Sequence, residues 1–195
     1  MRYWLSLILM MWLAGCSVLP ESTPAQLYRL PSPELSATAQ TPQTVLDVRA
    51  PSADRLLASD HIVVWPDSHQ VSVYADARWH DNAPDMLKRQ WQDALQTTQI
   101  ALPAESGEQG IDIRLVTELS AFHIAYQSDT PSAVMRAQFT LLDATNGQRL
   151  ASQQLSAIYP AQGEEVPEAV AALGMASEQM TLQLMQWLDN QLSGK

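Results

Sequence analysis

Val166, Val170, Leu173, Ser177, Met180, Leu184 and Trp187 recur at 4-3-4-3-4-3 spacing near the end of the chain. That period places them on one face of a single helix from about Val166 to Leu192. Leu182, Met185, Leu188 and Leu192 broaden its apolar surface, and Gly174 offers a place for it to bend. So long an apolar stripe must cover something, and the segments before it read mostly as strands. Leu27–Leu30 and Val45–Val48 are short strand signals. Ile62-Val63-Val64-Trp65 is a continuous apolar run ended by Pro66, the pattern of a strand buried on both faces. Val71, Val73 and Ala75 alternate with Ser72, Tyr74 and Asp76, which predicts a strand with those three on its core face.

A second helix starts at Asn82 and Pro84, with Asp85 in its first turn. Leu87, Trp91, Ala94, Leu95 and Thr98 give it an apolar face, and it stops before Pro103. Ile111, Ile113, Leu115 and Leu119 then fall on one parity, and Phe122, Ile124 and Tyr126 on the other. One long strand carrying both sets needs a bulge or break near Ser120–Ala121. Met135, Phe139 and Leu141 mark the next strand, and Asn146-Gly147 is a hairpin turn. The returning strand puts Ala151, Leu155, Ala157 and Tyr159 on one face. Strands, helix, strands, helix predicts an α+β fold, a single domain with an antiparallel or mixed β-sheet packed against two α-helices.

The only cysteine, Cys16, follows Leu13-Ala14-Gly15 at the end of an apolar run from Trp4, with Arg2 as the basic start of the segment. The run is too short for ~30 Å of hydrocarbon, so it reads as a signal peptide over residues 1–15. Leu-Ala-Gly-Cys resembles the bacterial lipobox, which implies cleavage before Cys16 and a lipid on its thiol. Several acyl chains, at ~0.8 kcal/mol per buried CH₂, anchor durably. With one cysteine no intramolecular disulfide can form, so the fold over residues 27–192 must hold by its core. Residues 16–26 form a lipidated tether of at most ~35 Å, stiffened by Pro20 and Pro24. Ser17, and not the aspartate of the enteric inner-membrane retention signal, follows the cysteine. The expected place is the periplasmic face of the outer membrane.

The chain has 11 Lys and Arg against 21 Asp and Glu, a net charge of −10. Loss of Arg2 with the leader makes the mature form −11. This excludes the basic footprint of a nucleic-acid binder and a polybasic membrane patch. His61, His69, His80 and His123 are scattered without zinc-motif spacing. Asp60-His61 and His80-Asp81 read as strand ends meeting solvent, with second-shell pairs around a metal as the sharper alternative. No glycine-framed serine and no free thiol suggest a nucleophile, so neither an enzyme nor any cofactor beyond the Cys16 lipid is expected.

From Leu46 onward the chain resembles the ABC-type transport auxiliary lipoprotein family. The stretches that carry the likeness are Leu46-Asp47-Val48, Ser59-Asp60-His61-Ile62-Val63-Val64 and Val71-Ser72-Val73-Tyr74-Ala75-Asp76-Ala77-Arg78-Trp79. They continue with Pro84-Asp85-Met86-Leu87 through Ala94-Leu95, then Glu118-Leu119-Ser120-Ala121-Phe122 and Ala171-Ala172-Leu173-Gly174-Met175-Ala176. Leu173-Gly174 departs from the pattern, where an aromatic and a polar residue are expected. The resemblance implies a non-enzymatic part of a mammalian-cell-entry (MCE) type lipid-trafficking system. Its partners would be a periplasmic MCE-domain protein with an inner-membrane permease and ATPase. A homo-oligomer is also compatible with the sequence.

The expected docking surface is a sheet edge or the strand–helix junction; at the junction it is Arg78-Trp79-His80, because Arg and aromatics are enriched at interface hot spots. Trp79 by itself reads first as a plug at the sheet–helix junction, with an aromatic anchor at a partner surface as the alternative. The competing function is a periplasmic lipid carrier with its own apolar cavity, toward which the stripe of the last helix would then face.

Overall fold

The computed structural model describes residues 24–31, 33–37, 42–105, 110–126 and 130–193. The expected signal segment, Cys16 and most of the tether lie outside them. Nine strands form one mixed sheet: β1 (Gln26–Tyr28), β2 (Val45–Val48), β3 (Ser52–Ala53), β4 (His61–Trp65), β5 (Ser72–Trp79), β6 (Leu102–Pro103), β7 (Ile113–Ala125), β8 (Ser132–Asp143) and β9 (Arg149–Pro160). Among the described residues two helices, α1 (Ala83–Thr98) and α2 (Val166–Leu192), complete the α+β domain.

β7 is the axis of the sheet. One of its edges pairs along its whole length with β8, antiparallel, and β8 pairs in turn with β9. Its other edge receives β2, β3 and β4 in succession, all parallel. β6 extends the sheet beyond β2, and β5 then β1 extend it beyond β4. Leu46, Leu115, Ile124, Met135, Phe139 and Leu141 are fully buried, and α2 packs against β7, β8 and β9.

The face switch predicted for β7 occurs where the residues require it, with a register shift against β8 between Leu119 and Ala121. Ile113, Leu115 and Leu119 are buried before it, and Phe122 and Ile124 after it. Ala151, Leu155, Ala157 and Tyr159 lie opposite the buried Leu141, Ala137, Met135 and Ala133, on the covered face as expected. The chain turns back to β9 through Asn146-Gly147, with Gly147 at φ 73°.

β5 departs from the expected pattern. Val71 is half exposed and Ala75 is exposed, whereas Ala77 and Trp79 are buried. Between the pairs Val63↔Val73 and His61↔Arg78 the register jumps, β5 advancing five residues for two of β4. This irregularity re-aims the second half of the strand. Val73 shares its face with Val63 and His123, the face turned away from Ile124 and the helix-covered core.

α1 opens as the sequence indicates. The Asn82 side chain accepts from the Asp85 backbone N–H at 2.9 Å and donates to the Asp85 carboxylate at 2.8 Å. The helix ends on Gln99, held in the left-handed region at φ 58° with its N–H on the Leu95 carbonyl. Leu87, Trp91, Ala94, Leu95 and Thr98 are buried, and Trp91 meets Phe139 edge-on at 5.2 Å. The α2 stripe is core as well. Val170, Leu173, Met180, Leu184 and Leu188 are buried, at ~1.5–3 kcal/mol each, so α2 is integral to the domain.

Ser177 interrupts that apolar stripe because the two helices meet there through a polar link. The Gln90 amide donates to Ser177 Oγ at 3.3 Å and to the Pro31 carbonyl at 3.0 Å. Ser177 Oγ and Thr181 Oγ1 bond back to their own helix, at Gly174 O and Ser177 O. Pro31 thus straps the segment after β1 across both helices. Gly174 is where the strap needs room, since a Cβ there would lie 2.8 Å from the Pro31 ring.

This reverses an ordinary helix rule. Gly→Ala inside a helix stabilises by about 1 kcal/mol, whereas Gly174→Ala should destabilise this domain by about 1–3 kcal/mol through overpacking. In a Pro31→Gly background the same change should become neutral or stabilising. Chemical denaturation of the four proteins of this double-mutant cycle measures the coupling, and additive effects would exclude the contact.

Candidate functional site

The junction of β5 and α1 brings Arg78, Trp79 and His80 together but gives them different work. Trp79 is 2 % exposed and stacks on Phe122 with ring centroids 5.7 Å apart. Its backbone N–H donates to Asp60 O at 2.7 Å. It fills the sheet–helix junction, so its large apolar surface is spent on the core. Arg78 turns back on its own strand. Its Nη1 reaches the carbonyls of Tyr74 at 2.7 Å, Ala77 at 2.8 Å and Ala75 at 3.2 Å. Those carbonyls belong to the irregular stretch of β5 that has lost its regular register with β4, and a charged donor is a strong partner for them.

His80 is exposed. Its backbone N–H donates to Tyr28 O at 2.8 Å, and its Nδ1 lies 3.2 Å from the same oxygen. The residue therefore ties the end of β5 to β1, the first strand of the sheet in chain order. Beside it, Arg89 donates to Asp81 at 2.6 Å. That bond, helped by the Asn82 N–H, holds the Asp81 carboxyl below its usual range. A groove of about 320 Å³ opens here, lined by Arg29, Pro31, His80, Arg89, Gln90 and Asp93 among others. A wider one, of about 650 Å³, lies at the other end of the domain. There Asp112, Asp143 and Gln99 share the walls with Ile100, Leu150 and Leu192.

His61 Nδ1 lies 3.0 Å from Ser59 Oγ and 3.4 Å from Asp60. Among the described residues no three His, Cys, Asp or Glu side chains come together as a metal site would require.

His123, which the sequence shows only as one of four scattered histidines, has a surrounding that the sequence does not announce. It is 4 % exposed, on the sheet face turned away from the Ile124 core, and stacks almost parallel on Trp65 at 4.1 Å. Its Nδ1 is buried with no hydrogen-bond partner. The turn after β3, with Asp54, Leu56 and Leu57, and β4, with Val63 and Trp65, line the small pocket beside it. Once β7 switches faces, His123 must take the parity opposite to Phe122 and Ile124. The cover that buries it comes from a tryptophan 58 positions away, which no local pattern announces.

Burial pushes the His123 imidazole down to about 4, and the charge of Arg136 on β8 adds to the effect. The folded protein thus keeps His123 neutral at pH values where the unfolded chain, titrating near 6.5, takes up a proton. Between those values the unfolded state binds more protons, so this group's contribution to stability falls as pH drops from about 6.5 toward 4. His123→Phe, which keeps a ring against Trp65, should lose less melting temperature than wild type between pH 7 and pH 4.5. Identical pH profiles of melting temperature for the two proteins would refute this role.

Comparison with known proteins bears on the whole domain. The family described as ABC-type transport auxiliary lipoprotein component matches residues 28–185. A crystal structure of a Xanthomonas campestris protein of the DUF330 family is similar at 26% identity and TM-score 0.76, covering 85% of this chain and 96% of that one. A second solved structure, of an uncharacterised protein, is 17% identical at TM-score 0.68 and covers 85% of this chain and 99% of its own. The Chlamydia trachomatis protein CT253 shares the fold at 7% identity and TM-score 0.56, covering 78% and 99%. No protein of curated function matches the chain.

Proposed function

The chain belongs to the ABC-type transport auxiliary lipoprotein family, and on that premise we propose that it docks an MCE-type transporter at the outer membrane. In this reading Cys16 carries the lipid anchor and the domain hangs on the periplasmic face. A periplasmic MCE-domain protein, joined to its inner-membrane permease and ATPase, is the partner, and the cargo is lipid moving between membranes. The domain does no chemistry of its own.

The observation that carries this reading is the way the tether enters the fold. Ten residues after Cys16 the chain is already β1, paired with β5 opposite Ala77, Arg78 and Trp79. Pro31 then straps the next segment across α1 and α2. A domain built into its anchor in this way is held within ~35 Å of the attachment point, which suits a fixed docking post at one membrane. The burial of the α2 stripe supports the same reading over the lipid-carrier alternative, because those side chains pack in the core.

Of the three residues expected at the docking surface, His80 offers the most to a partner. Arg78 is engaged with backbone carbonyls and Trp79 is interior, so substituting either confuses contact with stability.

Cys16→Ala should abolish incorporation of radiolabelled palmitate and release the protein from the outer-membrane fraction. Ser17→Asp should move it toward the inner membrane in an enteric host. Equal labelling of wild type and Cys16→Ala would overturn the anchor. Partner docking is checked by co-purification of the MCE-domain protein with the full-length lipoprotein. A phospholipid retained on the purified domain in native mass spectrometry, with no transporter component captured, would favour the carrier.

A further inference from the structure

We propose that the free edge of β9 is a strand-addition site, onto which an extended segment of the docking partner pairs as a tenth strand. Among the described residues β9 pairs only with β8, so the other side of a twelve-residue strand presents backbone N–H and C=O groups that no strand pairs; of these the Gln154 carbonyl accepts from the Gln153 side-chain amide at 3.3 Å, a contact an added strand would replace. The other outermost strands, β1 and β6, are three and two residues long.

Proteins guard long edges with lysine, inward charges, bulges or covering elements. β9 carries such devices only at its ends, Arg149 with a register irregularity at Leu150 and Pro160; from Leu150 to Tyr159 it contains no charged residue at all, in a chain of net charge −10. Ile158 is 61 % exposed on this edge strand. Left open, such an edge is an aggregation hazard, and its persistence in this form fits a surface that is covered in use.

The side chains define the occupant. Across the sheet, register pairs align Ile158, Val134, His123, Val63 and Val73 in one row on a single face. An added strand continues that row, and its residue beside Ile158 should be branched and apolar. Further along the same face Gln138 donates to Ser152 at 2.8 Å, and Thr140 and Ser152 lie 3.0 Å apart. Next to Ser152, Gln154 and Ser156 the added strand should therefore carry Ser, Thr, Asn or Gln. Charge selects between a partner segment and a second copy of this chain. Edge-to-edge pairing of two copies brings together two mature chains of net charge −11 each, which repel. A short neutral segment of another protein meets no such opposition at an uncharged edge. Backbone pairing then supplies affinity and alternate side chains supply specificity, as in other cases of strand addition.

This inference rests on the docking reading, and the experiment separates the two. The full-length lipoprotein is produced with the transporter components, as wild type, as Gln154→Lys/Ile158→Lys, and as the conservative Gln154→Asn/Ile158→Val. The lysine pair should reduce co-purification of the MCE-domain protein by about tenfold with little change in melting temperature, because both sites are exposed. The conservative pair should behave as wild type. In parallel, a photo-cross-linking residue at Ser156 should give an adduct with that partner. This measurement stands even if the lysine pair misfolds. Adducts from His80 but none from Ser156 would overturn the β9 site and leave docking intact. An adduct between two copies from Ser156 would assign the edge to self-association, and the proposal would fail. If wild type brings down no transporter component and neither position cross-links to one, the docking reading fails and the β9 proposal with it.

Discussion

One strand has to serve two different surroundings, and the rest of the sheet is arranged around that constraint. β7 needs Ile113, Leu115 and Leu119 in the core along its first half, and Phe122 and Ile124 along its second. In a strand of period two these sets point to opposite faces unless a residue is inserted, and the irregularity at Ser120 supplies it. The insertion keeps β7 on β8 over its full length. On its other edge β2, β3 and β4 each pair with only two or three residues. Short parallel strands of that kind are weak alone, and they hold because β7 gives them a continuous template while α1 closes over the core they share.

The same insertion creates the sheet's second, partly open face. After the switch His123 and Ala121 point away from the Ile124 core, and the turn after β3 together with Trp65 covers His123. Burial there leaves an imidazole nitrogen without a hydrogen bond, a cost of ~1–3 kcal/mol that an apolar residue at this position would avoid. The apolar row through His123 runs on to Val134 and out to Ile158 at the free edge. The domain therefore has one face closed by helices and one that becomes progressively less covered toward β9.

The elements that could be read from sequence were those whose signal is local and periodic. α2 runs over the predicted residues, α1 begins at the predicted cap, and the face switch and the Asn146-Gly147 turn fall where the pattern put them. What escaped depended on tertiary contact. β3 and β6 are two residues long and exist only because β7 and β2 offer an edge. Val71 and Ala75 sit on a regular alternation, yet no helix covers the face they occupy, and a pattern records periodicity without saying which side will be covered. At the candidate site the grouping of Arg78, Trp79 and His80 at a strand–helix junction was legible, and so was Trp79 as the plug of that junction, but the engagement of Arg78 with its own strand was not. The irregular register of β5 is a product of its pairing with β4, and it turns Trp79 inward while Arg78 serves the displaced carbonyls.

Gly174 shows how a departure from a family's pattern can be informative once the packing is known. As a helix glycine it suggests a bend, and as a substitution for a polar residue it suggests loss. Its actual role is to let Pro31 lie across α2 at van der Waals distance while Gln90 of α1 holds the Pro31 carbonyl. The segment that leads back toward the anchor is thereby fastened to both helices, and the helices to the sheet. On the docking reading proposed above, a load that reaches β1 from an anchor would pass through this fastening into both helices and the sheet. Such coupling would be of little use to a carrier that leaves its membrane and returns. It would suit a fixed post, because a partner paired along the proposed β9 site, at the far edge of the sheet from β1, would load the anchor through one packed domain.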